Sequence, residues 1–372
     1  MQKILFSLIF CIVSFTACPS MLKASDADIF LLVGSYSDGT TSGISVYNFN
    51  TLTGDFTYSS GIDEIVNPSY LVVSHDERVI YSVNETEEGA VSSFWFDKSE
   101  GDLILINTQP TYGANPCYIS IDKQNNFIAT ANYSGGNISV FPIDSDRSIL
   151  PLSMNIGANS SDTPVSHIHT VVFSPDETRL LATDLGRDCI YSLDVVKDPI
   201  EGLYLSSTEN ITILEQGSGP RHLAFHPNGE YLYCINELSG KVTVFNYNNG
   251  KPEAIQYIES DTTQTSSRKG SADIHLTSDG RFLYSSNRIK ADGIAIFSVD
   301  SENGQLTNVG YQPTGVHPRN FIITPNDKFL LCANRDTNNI QIFEIDSNTG
   351  LLQDTGKEIS IKQPVCLKLV RK

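Results

Sequence analysis

Residues 219–237 read GPRHLAFHPNGEYLYCINE. Their pattern predicts a strand, a tight turn at 227–229 and a second strand that returns to Asn236, because Pro, Asn and Gly favour turn conformations. A third strand is predicted at 241–245, where polar and apolar residues alternate, and a weaker fourth strand near 255–258. This part of the chain therefore predicts a four-stranded antiparallel sheet.

The end of the returning strand recurs seven times along the chain, at intervals of 47 to 52 residues. Asn occupies the last position of this segment in five of the seven copies. The copies are LLVG at 31–34, YSVN at 81–84, ATAN at 129–132, LATD at 181–184, YCIN at 233–236, YSSN at 284–287 and LCAN at 331–334. Repetition at this period predicts an all-β fold, a seven-bladed β-propeller in which each blade is a four-stranded sheet.

The two ends of the chain complement each other in this pattern. The first repeat lacks its opening strand, and residues 363–369 supply one that begins with the same proline as the other repeats. We expect this C-terminal strand to join the N-terminal blade, because a closed ring leaves no free sheet edge. Seven repeats of about 50 residues fill the chain, so residues 25–372 are predicted to form a single domain.

Residues 1–24 differ from the rest and resemble a secretory leader. Lys3 precedes an apolar run over 4–15, which is too short to span a bilayer as a permanent anchor. Two ends are open: a lipoprotein signal that would place a lipid anchor on Cys18, or ordinary cleavage after Ala24. The third alternative is an unprocessed apolar strand. We expect export to the periplasm or a membrane-anchored lipoprotein.

The composition restricts the partners. The chain has 25 Lys and Arg against 43 Asp and Glu, and its formal net charge is -18, which opposes binding to nucleic acid or to anionic lipid surfaces. The pattern does not define an oligomeric state. No nucleophile elbow, phosphate loop, EF-hand or zinc spacing is present, so neither a metal nor a cofactor is expected. Five cysteines outside the leader stand singly on predicted strands and are expected to be buried free thiols: Cys117, Cys189, Cys234, Cys332 and Cys366.

Comparing the repeats separates scaffold positions from candidate functional positions. The recurring Asn, and the proline sixteen residues before it, occupy their positions in most blades and are predicted to be structural. The position after each of them varies. With the turn centred between Asn228 and Gly229, Arg221 is expected opposite Asn236 and beside Glu237. Because the first strands of the blades line the central channel, both variable positions are expected to surround its mouth.

The residues at these positions are rich in arginine and histidine. Arginine suits carboxylates and phosphates, histidine titrates near neutral pH, and Glu237 can act as acid, base or arginine orienter. Structural alternatives are an Arg221–Glu237 ion pair, a buried histidine at His169 and a surface pair of Arg335 with Asp336. The set comprises His169, Arg221, Glu237, Arg288, Arg319, Arg335, Glu85 and Tyr133, with His167, His222, His275 and His317 next to it.

These motifs resemble the seven-bladed lactonase family, which includes bacterial propeller-type 6-phosphogluconolactonases and fungal carboxymuconate-lactonising enzymes. The resemblance runs from about residue 30 to 370 and is most specific in GPRH at 219–222, NEL at 236–238, NR at 287–288 and GVHPRNF at 315–321. It implies catalytic roles for His169, Arg221, Glu237 and Arg288. We assign substrate binding to Arg319, His222, His275, His317, Glu85 and Tyr133.

The resemblance implies a cofactor-independent hydrolase that opens a sugar lactone, either 6-phosphogluconolactone or a related aldonolactone. His169 or Glu237 would activate the attacking water, and the arginines would hold the anionic substrate. The alternative is an exported, non-catalytic propeller that binds an anionic sugar or a partner protein at the same mouth. A third interpretation is lactone formation from a muconate-like diacid. Export would separate the protein from the cytoplasm, where phosphorylated lactone is made, so the physiological substrate stays open.

Overall fold

The computed structural model describes residues 27–157, 165–198, 202–206, 210–248, 250–262 and 269–372. The leader predicted over 1–24, with its alternative ends at Cys18 and Ala24, lies outside these residues. The described residues form seven antiparallel sheets arranged as the blades of a propeller, so the predicted fold class is confirmed. They contain no helix long and apolar enough to cross a membrane. All five cysteines among them are buried and free.

The first three blades follow the predicted order. The first contains β1 (Asp28–Ser35), β2 (Ile44–Asn50) and β3 (Phe56–Ile62), and is completed by the last strand of the chain, β29 (Pro364–Arg371). The second contains β4 (Leu71–Val73), β5 (Val79–Asn84), β6 (Ala90–Asp97) and β7 (Asp102–Pro110). The third contains β8 (Pro116–Ile121), β9 (Phe127–Asn132), β10 (Asn137–Pro142) and β11 (Met154–Gly157).

The fourth blade departs from the pattern because two short strands share its outer edge. It contains β12 (Ile168–Phe173), β13 (Arg179–Asp184), β14 (Cys189–Asp198), β15 (Gly202–Ser206) and β16 (Ile211–Ile213), the last two both pairing with β14.

The last three blades each have four strands. The fifth contains β17 (Pro220–Phe225), β18 (Tyr231–Asn236), β19 (Lys241–Asn248) and β20 (Lys251–Glu259). The sixth contains β21 (Ser271–Leu276), β22 (Phe282–Asn287), β23 (Gly293–Val299) and β24 (Leu306–Pro313). The seventh contains β25 (Pro318–Ile323), β26 (Phe329–Asn334), β27 (Asn339–Ile345) and β28 (Leu352–Ser360).

The ring closes through the two ends of the chain, as the sequence predicts. Strand β29 runs antiparallel to β1, with Cys366 opposite Gly34 and Arg371 opposite Ile29. The innermost strands of the blades pack against one another around a central axis; they are β4, β8, β12, β17, β21, β25 and β29. Apolar side chains fill the spaces between neighbouring blades, as where Phe30 meets Phe96 edge to face at 5.3 Å.

The recurring Asn has the structural role that its recurrence predicts. The Asn236 amide donates hydrogen bonds to the Lys241 carbonyl at 3.0 Å and to the Thr243 hydroxyl at 2.8 Å. In the fourth blade Asp184 replaces Asn and accepts the backbone N–H of His167 at 2.8 Å instead. These bonds fix the loops that follow the second strands, and thereby the side chains that those loops carry.

One register prediction is wrong, and the difference matters for the site. Pro220, rather than Arg221, lies opposite Asn236, and the next pair is His222 with Ile235. Arg221 is therefore the extra residue of a β-bulge, which bends the strand and re-aims its side chain. Pairing residues at equal distances from the turn, as in a regular hairpin, cannot predict this extra residue. Equivalent bulges place Cys117, His169, Arg319 and Val365 at the same position of their strands.

Candidate active site

The bulges direct polar side chains from several blades towards one end of the axis. His169, Arg221 and Arg319 come from the bulges of β12, β17 and β25. The other contributors directly follow the second strands of their blades. We call the resulting set the axial cup; it consists of His169, Arg221, Arg319, Glu85, Glu237 and Arg288.

Glu237 joins two arginines at the centre of the axial cup. Its Oε2 accepts Nε of Arg221 at 3.0 Å and forms an ion pair with Nη2 of Arg288 at 3.2 Å. Arg221 is 1% exposed and Arg288 is 4% exposed. Two buried guanidiniums converging on one carboxylate oxygen fix the position of all three groups.

The guanidinium of Arg288 is bound by the protein at every nitrogen. Nε donates to the Gly270 carbonyl at 2.6 Å, Nη2 to the Ser271 carbonyl at 3.3 Å, and Nη1 to His317 Nε2 at 3.3 Å. Burial lowers the pKa of Arg288, while the Glu237 carboxylate opposes that shift and favours the cation. Arg288 therefore serves mainly to hold Glu237.

Arg221 differs from Arg288 because one of its nitrogens remains available. Nη1 donates to the Ala272 carbonyl and lies 3.2 Å from Nε2 of His222. Nη2 of Arg221 has no hydrogen-bond acceptor among the residues that the structure describes. This nitrogen can bind an oxygen atom of a ligand.

His169 is buried in the wall of the axial cup with an unused ring nitrogen. The residue is 4% exposed, and its Nδ1 finds no hydrogen-bond partner within the described part of the chain. Its ring lies against Tyr133 and His222, with centroid distances of 5.6 and 5.2 Å. Burial, reinforced by the positive charge of Arg221, lowers the pKa of His169 well below 6.5. The imidazole is therefore neutral at neutral pH and can accept a proton.

Arg319 forms the opposite wall with Glu85 and Tyr36. Its Nη2 lies 3.8 Å from the Glu85 carboxylate, and its guanidinium packs over the Tyr36 ring at 5.5 Å. The Tyr36 hydroxyl donates to both carboxylate oxygens of Glu85, at 3.1 and 3.2 Å. Burial alone would lower the pKa of Arg319, but Tyr36 and Glu85 outweigh it and raise the pKa. Arg319 is thus a permanent cation, and its N–H groups form no hydrogen bond with any residue that the structure describes, so they can bind a ligand.

Two of the predicted substrate-binding histidines lie beneath the axial cup. His222 is 4% exposed, and its ring meets Tyr118 and Tyr70 at centroid distances of 5.2 and 5.8 Å. Burial and the Arg221 charge lower the pKa of His222 to about 3. His222 and His275 both bond to the carboxylate of Asp273, at 2.8 and 3.1 Å. His222, Asp273 and His275 thus form a bonded layer next to Arg221.

The remaining candidates lie at the rim. His317 stands between Arg288 and Asp336, with its Nδ1 3.5 Å from the Asp336 carboxylate. Arg335 forms the predicted surface pair with Asp336, at 2.6 Å. Tyr133 stacks on His167 with a ring-centroid distance of 4.6 Å. The structure thus brings Arg221, Glu237, Arg288 and His169 together and leaves Arg335 outside.

Sequence reasoning missed two residues that contact this site. Asp273 is 1% exposed and is the only acidic residue on the seven innermost strands described, a signal that the sequence does contain. Tyr36 lies two residues after Gly34, which ends the recurring strand segment of the first blade, and nothing in the repeat pattern distinguishes it. Both residues lie one position beyond the variable positions that follow the recurring proline and the recurring Asn.

Comparisons with known proteins agree with this architecture. A family model described as "Lactonase, 7-bladed beta-propeller" matches residues 30–369. A curated 6-phosphogluconolactonase from Formosa agariphila is 39% identical over 352 residues, which cover 91% of this chain and 99% of the relative.

Solved structures give the same result. A Bacteroides fragilis protein, described as a candidate 6-phosphogluconolactonase, superposes with a TM-score of 0.88 at 46% identity, covering 94% of this chain and 100% of that chain. The periplasmic gluconolactonase of Pseudomonas aeruginosa superposes with a TM-score of 0.87 at 31% identity, covering 92% and 99% of the two chains. The protein described here belongs to the lactonase family of seven-bladed β-propellers.

Proposed function

We propose that this protein hydrolyses a sugar lactone in the axial cup, with 6-phosphogluconolactone or a related aldonolactone as substrate. The observation that carries the proposal is the neutral imidazole of His169, whose Nδ1 has no partner among the described residues, beside the buried guanidinium of Arg221 and the partly buried guanidinium of Arg319. Ester hydrolysis by water requires a base that is neutral at pH 7 and cations that can stabilise an oxyanion. The names of the family relatives support the same reaction class.

His169 acts as the general base in this scheme. Its imidazole takes a proton from water while the water oxygen attacks the lactone carbonyl carbon. The carbonyl oxygen becomes an oxyanion, which the free Nη2 of Arg221 and the N–H groups of Arg319 stabilise. When the intermediate collapses, the ring C–O bond breaks and the leaving alkoxide receives the proton from His169. The product is the open-chain hydroxy acid, and the imidazole is neutral again.

Glu237 fits the role of an orienter better than that of a base. Its Oε2 is already engaged by the guanidiniums of Arg221 and Arg288. An oxygen held by two cations is poorly suited to take a proton from water. Glu237 therefore keeps Arg221 aligned, and this favours His169 over Glu237 as the base.

The direct test is hydrolysis of a panel of lactones by the purified protein, corrected for spontaneous opening. The panel includes gluconolactone, 6-phosphogluconolactone and a lactone without hydroxyl groups. Accelerated opening of a sugar lactone supports the proposal. Tight calorimetric binding of gluconate-type acids without acceleration would instead identify a non-catalytic binding propeller.

The pH dependence provides a further prediction. Burial and the neighbouring arginines lower the pKa of His169 well below 6.5. The base works only when it is neutral, so kcat/KM is expected to stay constant as the pH falls through 6.5 and to decline only at more acidic pH. Initial rates measured in overlapping buffers check this. A half-maximal rate at pH 6.5 or above would contradict the assignment of His169 as the base.

Export forms the last part of the proposal. The leader-like residues 1–24 support it, and the Pseudomonas aeruginosa relative is described as a periplasmic gluconolactonase. Cell fractionation tests the location, and mass spectrometry of the mature N-terminus distinguishes a lipid on Cys18 from cleavage after Ala24. Recovery of the uncleaved chain in the cytoplasm would contradict export.

A further inference from the structure

A buried carboxylate beneath the axial cup has more partners than a scaffold position requires. Asp273 lies on β21, in a bulge where neither Ala272 nor Asp273 is paired with a residue of β22. Its Oδ1 accepts from His222 Nδ1 at 2.8 Å and from the Ile274 N–H at 3.0 Å. Its Oδ2 accepts from His275 Nε2 at 3.1 Å. Such complete pairing is what a buried anion needs.

The seventh blade completes the surroundings of Asp273. Oδ2 also accepts the Phe321 N–H at 3.2 Å and the side-chain amide of Asn320. The orientation of that amide is fixed, because Asn320 Oδ1 accepts the Leu367 N–H of the closing strand at 2.7 Å. Burial alone would raise the pKa of Asp273, but His275 and His222 hold the pKa well below its ordinary value. Asp273 is therefore an anion anchored to three inner strands.

The donor chemistry fixes the tautomer of His222. Arg221 Nη1 can only donate, so the His222 Nε2 that lies 3.2 Å from it must be the accepting nitrogen. The proton of neutral His222 then sits on Nδ1, which is the nitrogen that donates to Asp273. The alternative tautomer would place two donors against each other at Arg221 and two acceptors against each other at Asp273. Asp273 thus ensures that the nitrogen of His222 that faces Arg221 is unprotonated and can accept a hydrogen bond.

We propose that Asp273 is a positioning residue for the lactonase reaction: it holds His222 as the Nδ1-protonated tautomer, and His222 in turn holds the Arg221 guanidinium with Nη2 directed into the axial cup. The inference rests on the proposed function, in which Arg221 stabilises the oxyanion. Asp273 touches no substrate in this scheme. Its effect is therefore expected on kcat, because misdirecting Arg221 weakens an interaction made mainly in the transition state.

The first arm of the test replaces Asp273 with Asn. Asp273→Asn is isosteric but carries an amide nitrogen that must oppose a donor at either His222 or Asn320. We expect kcat to fall about 10- to 100-fold, the range seen when a group that orients a functional ligand is removed, while KM changes little. Asp279→Asn, the same change at an exposed turn, is the matched control and is expected to keep wild-type kcat.

The second arm separates positioning from stability. In His222→Asn the amide nitrogen can still donate to Asp273, so the carboxylate stays paired, but the acceptor for Arg221 is lost. This variant is expected to lose kcat like Asp273→Asn, and the double variant is expected to be no worse than either single variant. Nitrogen-15 NMR gives a readout independent of activity: His222 Nδ1 is expected to show the protonated signal and Nε2 the unprotonated one.

The outcomes distinguish the two proposals. If the wild type opens sugar lactones but both folded variants keep its kcat, the role of Asp273 is wrong and the proposed function stands. Additive losses in the double variant, or a His222 protonated on Nε2, also overturn the positioning role. If the wild type accelerates no lactone, the proposed function fails and the inference fails with it.

Discussion

Replacing His169 with Gln is expected to reduce kcat roughly a hundred- to ten-thousand-fold, the usual contribution of a positioned general base. Gln has a similar size and can form hydrogen bonds, but it cannot accept a proton from water. The ring of His169 is buried against Tyr133 and His222, so the substitution keeps the pocket filled while it removes the basic nitrogen. Steady-state hydrolysis of the best lactone, with the spontaneous rate subtracted, measures the effect.

A matched substitution controls for the loss of any histidine. His75→Gln changes an exposed residue at a turn of the second blade, and it is expected to leave kcat and KM unchanged. Circular dichroism of both variants confirms that the fold is retained. A folded His169→Gln variant with wild-type kcat would contradict the mechanism, and Glu237 would then become the base to test.

Arg221→Ala is expected to reduce kcat roughly a hundred- to a thousand-fold, as observed when an enzyme loses one oxyanion donor. The loss has two sources. The free Nη2 disappears from the axial cup, and Glu237 and His222 lose the guanidinium that joins them. Arg221→Lys keeps the charge without the planar fork, so it is expected to restore only part of the activity.

The control for Arg221 is Arg281→Ala. Arg281 is an exposed arginine that pairs with Asp279 at 2.6 Å and lies outside the axial cup. Wild-type kinetics are expected for this control, and the lactone assay gives both values. If Arg221→Ala folds and retains wild-type kcat, Arg221 has no part in the transition state and the oxyanion role belongs to Arg319 alone.

The fold could be predicted because the pattern of strands and turns that produces it repeats along the sequence. A blade buries its apolar faces only against neighbouring blades, so the same spacing of strands and turns recurs and is visible in one sequence. The closing strand at 363–369 could be predicted for the same reason, since the first repeat lacked a partner for its free edge. The fourth blade's divided outer edge could not, because an edge strand makes few contacts and leaves a weak pattern.

The site could be predicted as a group but not in its geometry. Arg221, Glu237 and Arg288 break the repeat pattern at one end of the hairpins, and that irregularity identified them. The bulge at Arg221 left no sign in the local residues, because an extra residue in a ladder is defined only by its partner strand. The layer of His222 and Asp273 depends on contacts across the axis, which connect residues of different blades and have no fixed spacing.

Closure by β29 has a consequence for how the chain must fold. The partner of β1 follows all the other strands of the domain in sequence, so the first blade stays incomplete until β29 has been synthesised. Contacts this distant in sequence form late and slowly. During synthesis and any transfer across a membrane, the exposed edge of β1 would be a site for aberrant pairing. Removing the tail should therefore damage the beginning of the domain, and shortening the chain by one strand should end cooperative folding rather than weaken it by degrees.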